Sequence, residues 1–306
     1  MEIITGTTDF YIREETAAAI GKFDGVHIGH RRLLQEILDE KQNGKKACVF
    51  TFDPPPTAFF GKTNEKALTT KEEKRNIFSF MGVDILIEYP LNARTAATPP
   101  QAFVTEILCN RMNAGFVAAG VDLSFGAGGA GNAALLESMA PECGIKVRII
   151  DKVTRNGREI SSTLVREAVE QGNMVLAEEL LGMPYIVEGM VLHGNRIGRT
   201  LGMPTVNLIP SEDKLLPPCG VYYSGVQMEG KYYKGISNVG YKPTIRENEK
   251  ALGVETYLYD YTGDAYGKEI AVSLYEFKRP EQKFADLTAL KSQVQSDITA
   301  GESYRR

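Results

Sequence analysis

Two histidines, His27 and His30, stand three residues apart in a glycine-framed segment, Gly21-Lys22-Phe23-Asp24-Gly25-Val26-His27-Ile28-Gly29-His30. The segment follows a short apolar stretch and precedes an amphipathic one, which predicts a turn between a strand and a helix. Amide groups at a helix start and two imidazoles can converge on a triphosphate, and Gly25 and Gly29 let the backbone approach it. Such a site would stabilise charge on a nucleotidyl group during its transfer.

Histidines with this spacing are, taken alone, more often ordinary surface or core-lining residues beside a turn. This chain has only 3 histidines, and two of them lie inside this one segment. The position between a strand and a helix is the one that a phosphate site requires, which favours the functional interpretation.

A second group with phosphate chemistry consists of Ser161, Ser162, Thr163 and Arg166. Its hydroxyls predict the cap of a helix that begins near Leu164. Amides at that helix start, together with the guanidinium of Arg166, suit the polyphosphate of a nucleotide. A plain helix cap with an exposed arginine is the alternative.

A third group lies in residues 193–207 and contains Gly198, Gly202, Pro204, Thr205 and Asn207. Glycines here would let a loop close over ATP phosphates, and Thr205 with Asn207 offers two neutral oxygens to a magnesium ion that already has phosphate ligands. The run is not a Walker A loop, because no Gly-Lys-Ser or Gly-Lys-Thr follows. Taken alone it is a weak signal, since such turns are common in β-barrels.

The bulk properties suggest a soluble protein with two domains, because 306 residues exceed the size of one typical core. A formal net charge of -4 argues against broad binding to nucleic acid or an anionic membrane. With no signal peptide and no apolar run of membrane-spanning length, we expect a cytoplasmic location. The four cysteines form no CxxC pair, so free thiols are expected and zinc is not.

The elements of the first half predict a parallel sheet with right-handed crossovers, because short apolar runs alternate with amphipathic stretches. A helix is indicated by Leu33, Leu34, Ile37 and Leu38, and Gly44 marks its end. The candidate strands are Ala17 to Ile20, Ala47 to Phe52, Val83 to Ile87, Gly115 to Ala119 and Lys146 to Ile150.

The second half predicts an antiparallel barrel or sandwich, because strand follows strand and Glu229-Gly230 is typical of a tight hairpin turn. A last helix, with Leu287, Leu290, Val294 and Ile298 on one face, would lie across it. We place the domain boundary between residues 182 and 183. The candidate strands are Tyr185 to His193, Gly220 to Met228, Lys231 to Asn238, Val254 to Asp260 and Ile270 to Phe277.

The histidine segment resembles the GxFDGxHxGH signature of the HxGH nucleotidyltransferases, and in particular that of the bacterial bifunctional riboflavin kinase/FMN adenylyltransferases. Thr51-Phe52-Asp53-Pro54 and Ile160-Ser161-Ser162-Thr163-Leu164-Val165-Arg166 are similar to two further motifs of that family, in the same order. The resemblance implies a Rossmann-like FMN adenylyltransferase domain over residues 1–182. It makes His27 and His30 catalytic, and it assigns nucleotide or flavin binding to Gly21, Phe23, Asp24, Gly29, Asp122, Ser162, Thr163 and Arg166.

Two segments depart from that family. Many members carry a histidine between prolines where this chain has Pro55, and many have an arginine and further basic residues where it reads Asp122-Leu123-Ser124-Phe125-Gly126-Ala127-Gly128-Gly129. Several side chains able to meet phosphate or base are therefore missing. The glycines there would still offer backbone amides as an anion-binding nest.

The third group resembles the GxPTxN signature of riboflavin kinases, and segments that include Ser237 to Thr244 and Arg279 to Phe284 are similar to others in family order. The resemblance implies a β-barrel kinase domain with a closing helix over residues 183–306. It makes Glu255 the general base and Thr205 and Asn207 magnesium ligands. ATP or flavin binding falls to Gly198, Gly202, Pro204, Arg279 and Glu281. By residue type alone, Glu255 would be an outward-facing strand residue, and Arg279 and Glu281 an exposed ion pair.

The resemblance implies a transferase that phosphorylates riboflavin with ATP to give FMN and then adenylylates FMN with a second ATP to give FAD and pyrophosphate. Mg²⁺, ATP, riboflavin, FMN and FAD are the expected small molecules, with no nucleic acid or membrane partner and the oligomeric state left open. One alternative is a monofunctional riboflavin kinase with a degenerate first domain. Another is a non-enzymatic flavin-binding regulator, which would have no need for Glu255 together with Thr205 and Asn207.

Overall fold

The computed structural model describes residues 1–61, 65–192, 203–243 and 250–305, without the side chains of residues 242, 243 and 250. The chain divides into two compact units, of which the first comprises Met1–Glu65 and Lys71–Ser161 and the second Lys66–Thr70 and Ser162–Arg306. The division by packing therefore differs from the predicted boundary at residues 182 and 183. That boundary stays a prediction about the two functional domains.

The first unit is built on a six-stranded sheet in which every neighbouring pair is parallel, with strand order β1-β4-β3-β2-β5-β8. Two small antiparallel pairs, β6-β7 and β9-β10, stand beside it. The strands are β1 (Glu2–Thr5), β2 (Thr16–Ile20), β3 (Lys46–Asp53), β4 (Ile85–Pro90), β5 (Ala114–Gly120), β6 (Ser124–Phe125), β7 (Gly131–Asn132), β8 (Lys146–Ile150), β9 (Thr154–Arg155) and β10 (Arg158–Glu159).

Helices connect these strands. They are α1 (Ile28–Asp39), α2 (Pro56–Phe59), α3 (Lys71–Met81), α4 (Ala93–Ala96), α5 (Pro100–Ala102) and α6 (Ala133–Met139), with a π-helix at Phe103–Arg111 and 3₁₀ turns at Glu40–Asn43, Ala127–Gly129 and Ala140–Cys143. Gly44 takes a left-handed conformation, with φ 82°, at the end of the first 3₁₀ turn. The predicted glycine stop is thus confirmed.

The five predicted strands of the first half are confirmed, with ends that move by up to three residues. Strand β2 is buried along its whole length, as expected for a central strand of a parallel sheet covered on both faces. Strand β1 was not predicted. It pairs only with β4 at the sheet edge, and its side chains are mostly exposed, so it lacks a buried strand's apolar run.

The order of the sheet sets the place of a ligand crevice. Strand β2 has β3 on one side and β5 on the other, so the connections that leave β2 and β5 depart in different directions. In open parallel sheets ligands bind at such a switch point, beyond the carboxyl ends of the strands. The histidine segment follows β2 there, and Asp122 follows β5.

The second unit contains a closed barrel with strand order β11-β12-β15-β14-β13-β16, in which every described pairing is antiparallel. The predicted barrel with a closing helix is confirmed. The strands are β11 (Tyr185–Leu192), β12 (Thr205–Leu208), β13 (Gly220–Met228), β14 (Lys231–Pro243), β15 (Lys250–Leu258) and β16 (Glu269–Pro280), and the helices are α7 (Ser162–Glu170), α8 (Met174–Leu181) and α9 (Leu287–Ser303).

The hairpin between β13 and β14 turns at Glu229 and Gly230, whose φ angles are 49° and 75°. Positive φ at both central positions is the hallmark of a type I′ turn, which confirms the predicted hairpin. Strand β12 was not predicted as a strand, because Pro204 just before it and Asn207 within it are typical of a turn. Helix α9 packs through Val294 and Ile298 as predicted, whereas Leu287 is 67% exposed and lies off the packed face.

A short segment of the chain's first half belongs to the second unit. We call Lys66–Thr70 the strap. Ala67 forms a parallel bridge with Lys214, and the Lys214 Nζ donates to the Leu68 carbonyl at 2.8 Å while lying 4.3 Å from the centre of the Tyr185 ring. Because Lys214 is 2% exposed, the strap supplies an acceptor for a buried ammonium.

The four cysteines are free, as predicted. Cys48 is buried, and Cys109, Cys143 and Cys219 are half-buried. Burial raises the pKa of the Cys48 thiol, so it stays protonated at neutral pH.

Candidate active sites

The segment after β2 makes an unusually tight turn. Phe23 and Val26 have φ angles of 51° and 45° and are both fully buried, and Gly25 between them has φ 81°. A β-branched residue in the left-handed region is rare, and such a conformation costs about 1–3 kcal/mol. The buried rings and methyl groups hold this turn, and the turn brings the two histidines to the end of β2.

His27 caps helix α1 and stacks on His30. The Nδ1 atom of His27 accepts a hydrogen bond of 3.4 Å from the His30 amide, and the two ring centres lie 3.8 Å apart. A Cβ atom at Gly29 would stand 3.0 Å from the His27 ring. Any other residue at Gly29 would therefore press on the imidazole, which explains the glycine.

Both imidazoles are neutral at pH 7. Burial lowers the pKa of His27 to about 4, although the carboxylates of Asp122 and Glu159 act in the opposite direction. The pKa of His30 is also well below its ordinary value because of burial, the neighbouring His27 and the charge of Lys74. The pair can donate hydrogen bonds to a phosphate but carries no charge of its own in this state.

His30 presents a buried polar atom to the site. Among the residues that the structure describes, its Nδ1 atom has no hydrogen-bond partner. A buried polar group without a partner costs about 1–3 kcal/mol, and such atoms are concentrated where a ligand completes the bonding. The atom fits an acceptor or donor role towards a bound nucleotide.

Asp122 follows β5 at the same edge of the sheet. Its side chain is 71% exposed and lies 3.5 Å from the Nζ of Lys152, which also binds Glu159 at 2.6 Å. The charges of Asp122 and Glu159 reach His27. Asp122 thus acts electrostatically on His27, while its predicted contact with the nucleotide or flavin stays a prediction.

The predicted anion nest at residues 126–129 is wrong for two of its amides, those of Ala127 and Gly129. Ala127 donates to the Thr98 carbonyl at 2.7 Å, and Gly129 and Ala130 donate to the carbonyls of Gly126 and Ala127 at 3.0 and 3.2 Å. The segment closes on itself as a turn between β6 and β7. These amides are therefore already used within the chain.

The Ser-Ser-Thr segment begins a helix two residues earlier than predicted, at Ser162 rather than near Leu164. The guanidinium of Arg166 on this helix donates from Nη1 to the carbonyl of Lys66 in the strap at 2.5 Å. Arg166 thus has a backbone partner in the second unit, while its predicted role towards a nucleotide stays a prediction.

The barrel gathers the predicted kinase residues around Glu255. Asn207 on β12 and Asn238 on β14 are directly opposite Glu255 on β15, one on each side. The Thr205 Oγ1 donates to the Glu255 Oε1 at 2.6 Å. Residues i and i+2 of a strand share a face, so Thr205 and Asn207 point the same way as the carboxylate.

Glu281 lies beside this row. Its Oε1 accepts a hydrogen bond of 3.0 Å from the Asn238 Nδ2, and a Cβ atom at Gly240 would stand only 2.1 Å from the same oxygen. The carboxylate is held against the backbone of β14. Asn238 therefore links Glu281 to the strand that faces Glu255.

Arg279 is engaged with the closing helix. Its Nε donates to both carboxylate oxygens of Asp297 at 3.1 Å, and Lys278 reaches the same group at 2.9 Å. Burial alone would raise the pKa of Asp297, but the two cations lower it below its ordinary value. Arg279 forms a partly buried ion pair with Asp297, and its predicted contact with flavin stays a prediction.

Two predicted residues, Gly198 and Gly202, lie outside the described residues. Pro204 is exposed just before β12. The sequence analysis did not single out Lys74 or Asn238, although Asn238 lies in the Ser237 to Thr244 segment that resembles riboflavin kinases. Their roles appear only once α3 is packed on the histidine turn and β14 is paired with β15.

A parallel α/β unit with a histidine pair at its switch point, and a closed barrel with a carboxylate among neutral oxygens, define a two-part phosphate-transferring enzyme. Family models support both parts. Residues 10–164 match the family model described as FAD synthetase, and residues 181–304 match that described as riboflavin kinase.

Relatives match over almost the whole chain. A bifunctional riboflavin kinase/FMN adenylyltransferase of Listeria monocytogenes is 35% identical over 95% of this chain and 93% of its own length. One of Escherichia coli strain K12 is 37% identical over 95% of this chain and 94% of its own. The chain belongs to the bifunctional riboflavin kinase/FMN adenylyltransferase family.

A solved structure is similar over the full length. It is described as a macrolide-efflux protein from Streptococcus pneumoniae, and it is 27% identical with a TM-score of 0.86 over 99% of both chains. That description concerns the other protein. In the part of this chain that the structure describes, no helix is long and apolar enough to cross a bilayer.

Proposed function

We propose that the chain transfers the γ-phosphate of ATP to riboflavin in its barrel and then transfers an adenylyl group from a second ATP to FMN in its parallel α/β unit. The observation that carries the proposal is that each family-model match covers the residues gathered at one of the two candidate sites. The barrel places Glu255 between Thr205, Asn207 and Asn238, within the residues that match riboflavin kinase. The FAD synthetase match covers the histidine pair.

The kinase step needs a base and alignment. The Glu255 carboxylate takes the proton of the terminal ribityl hydroxyl as that oxygen attacks the γ-phosphorus. The bond from that phosphorus to the bridging oxygen breaks, and ADP leaves with the electron pair. The hydrogen bond from Thr205 holds the carboxylate in place. Phosphoryl transfer through a loose transition state depends mainly on positioning and charge neutralisation. Glu281, held by Asn238, orients the flavin beside this point.

The neutral oxygens of Thr205 and Asn207 fit Mg²⁺ bound to ATP. Magnesium prefers oxygen ligands and usually keeps phosphate oxygens and waters in its shell, so two side-chain oxygens on one strand face are an adequate protein contribution. The Thr205 hydroxyl donates a hydrogen bond to Glu255, which leaves the lone pairs of the Thr205 oxygen available to a metal ion. When bound, the ion would neutralise charge on the phosphates of ATP.

The adenylyl step uses the histidine pair. A phosphate oxygen of FMN attacks the α-phosphorus of ATP, and pyrophosphate departs with the electrons of the broken bond. Neutral His27 and His30 donate hydrogen bonds to the phosphate oxygens where negative charge accumulates. Gly21 leaves room for the Phe23 ring and Gly29 for the His27 ring. The charge of Asp122 acts on His27, and that of Asp24 acts on Lys74.

The two alternatives are not favoured. A monofunctional kinase would need no FAD synthetase domain, yet that family model matches residues 10–164 and the full-length relatives are bifunctional. A non-enzymatic regulator would have no need for the Glu255 carboxylate beside Thr205 and Asn207, whose oxygens suit magnesium. We also propose a cytoplasmic location, where ATP and riboflavin meet.

The deciding experiment is incubation of the full chain with riboflavin, ATP and magnesium, followed by separation of FMN and FAD over time. FMN should appear first and FAD later, and a chelator of magnesium should stop FMN formation. FMN without FAD would leave only the kinase, and flavin binding without either product would support the regulator.

A further inference from the structure

Helix α3 rests on the histidine turn. The rings of Phe78 and Phe23 meet edge to face with centres 5.5 Å apart, and Phe23 is 5.1 Å from the ring of His30. Lys74 lies one turn before Phe78 on the same helix, and residues four apart share a helix face. The backbone therefore directs Lys74 towards the histidine turn.

The charge of Lys74 acts on the residues of the histidine turn. It contributes to the lowered pKa of His30, and Asp24 in the turn acts on Lys74 in return. The other charged groups that face Lys74 are Glu88, Asp53 and Lys71. The ammonium thus lies among the residues of the proposed adenylyl-transfer site.

The neighbouring cations of α3 are already paired. Lys71 lies 2.5 Å from Asp53 and 3.2 Å from Glu88, and Arg75 binds both oxygens of Glu88 at 2.8 and 2.6 Å. Lys74 is half-buried, and within the described residues it makes no hydrogen bond and no ion pair within 4 Å. Burial lowers its pKa, which shows that the charge is only partly compensated.

Lys74 would add a cation to a site in which Lys152 is already paired with Asp122 and Glu159. Its histidines are neutral, residues 122–129 contain no basic side chain, and the amides of Ala127, Gly129 and Ala130 are bonded within the chain. A triphosphate in a partly buried crevice requires positive charge as well as hydrogen-bond donors. A half-buried ammonium without a direct partner meets that requirement.

We propose that Lys74 binds the triphosphate of ATP in the adenylyl-transfer site and stabilises the departing pyrophosphate. The bond between the FMN phosphate oxygen and the α-phosphorus forms, the bond from that phosphorus to the bridging oxygen breaks, and the electron pair leaves with pyrophosphate. Lys74 stays protonated throughout and donates hydrogen bonds. The inference rests on the proposed adenylyl transfer and assigns a further catalytic residue to it.

The test uses the full chain with Lys74→Met, which keeps the length of the side chain but removes its charge. Adenylylation of added FMN should lose about two orders of magnitude in kcat/KM for ATP, the usual effect of removing one preorganised group. In the reverse reaction from FAD, the apparent affinity for pyrophosphate should fall at least about tenfold. Lys74→Arg should restore most of both, because the charge returns.

Matched controls separate binding from structure. Lys71→Met removes a paired cation from the same helix and should leave the affinity for pyrophosphate near that of the wild type. Kinase turnover and thermal melting of each variant report on folding, and Lys74→Gln provides a second neutral variant if Lys74→Met is unstable. A residue that only steadied Asp24 would lower kcat without weakening pyrophosphate binding.

The outcomes are distinct. If the wild type makes no FAD, the proposed function itself fails. If the wild type makes FAD and both neutral variants bind pyrophosphate normally, or if Lys71→Met weakens it equally, the assignment of Lys74 is overturned.

Discussion

The Thr205 hydroxyl donates a 2.6 Å hydrogen bond to the Glu255 carboxylate across the paired strands β12 and β15. One residue is the proposed magnesium ligand, and the other is the proposed base. Because their proposed roles differ, substitutions of Thr205 and of Glu255 are expected to affect the kinase step in different ways.

Glu255→Gln should lower kinase turnover by about two to four orders of magnitude, the usual contribution of a general base. The amide oxygen still accepts from Thr205, so the fold and ATP binding should change little. Conversion of added FMN to FAD should continue at the normal rate. Near wild-type FMN formation by this variant would return Glu255 to an ordinary strand position.

Thr205→Ala and Asn207→Ala should weaken the magnesium-ATP complex, so higher magnesium should partly restore FMN formation. Excess metal should not rescue Glu255→Gln. The measurement is FMN formed per unit time across a magnesium series, with thermal melting as the folding control. Equal responses of all three variants to metal would contradict the separate roles.

His27→Ala and His30→Ala should each lower FAD formation by about two to three orders of magnitude, because each removes a preorganised donor from the transferring group. FMN formation in the same samples should barely change, since Glu255 lies in the other unit. A parallel loss of kinase activity would show that the stacked rings mainly hold the fold.

The depressed pKa of His27 makes stability depend on pH in one direction. The unfolded chain takes up a proton below the ordinary value of 6.5, whereas the folded chain does so only near 4. The free energy of unfolding should therefore fall as pH drops from 6.5 to 4, by about 3 kcal/mol for this residue. Chemical denaturation of wild type and His27→Gln at pH 7 and 4.5 checks this, and the variant should lose less stability. An equal loss in both would exclude His27 as the source.

The strap is expected to affect the stability of a kinase fragment, because such a fragment does not contain it. A fragment of residues 183–306 is expected to fold and phosphorylate riboflavin, because its strands close a barrel. It lacks the Leu68 carbonyl, however, and the loss of this acceptor from a buried ammonium costs about 1–3 kcal/mol. Lys214→Met should therefore raise the melting temperature of the fragment and not that of the full chain. The same shift in both would show that the strap contributes nothing to Lys214.

The sequence was sufficient for the two architectures because buried strands and a hairpin turn have local signatures. It also predicted the turn between a strand and a helix that carries His27 and His30, while the roles of these histidines and of Glu255 stay predictions. It could not place Lys74 or Asn238, since their roles depend on α3 packing on Phe23 and on the register of β14 with β15. Strand β12 and the strap lacked local signals for the same reason: only long-range pairing defines them.

The strap also imposes an order on biosynthesis. Leu68 leaves the ribosome 146 residues before Lys214, and Ala67 precedes the Asp213 and Leu215 backbone groups with which it bonds. Nascent chains fold from the amino end, so the strap, which belongs to the second unit, waits for Lys214 while the first unit is already complete. Translation speed over residues 70–214 therefore sets how long that polar backbone stays open to chaperones and proteases.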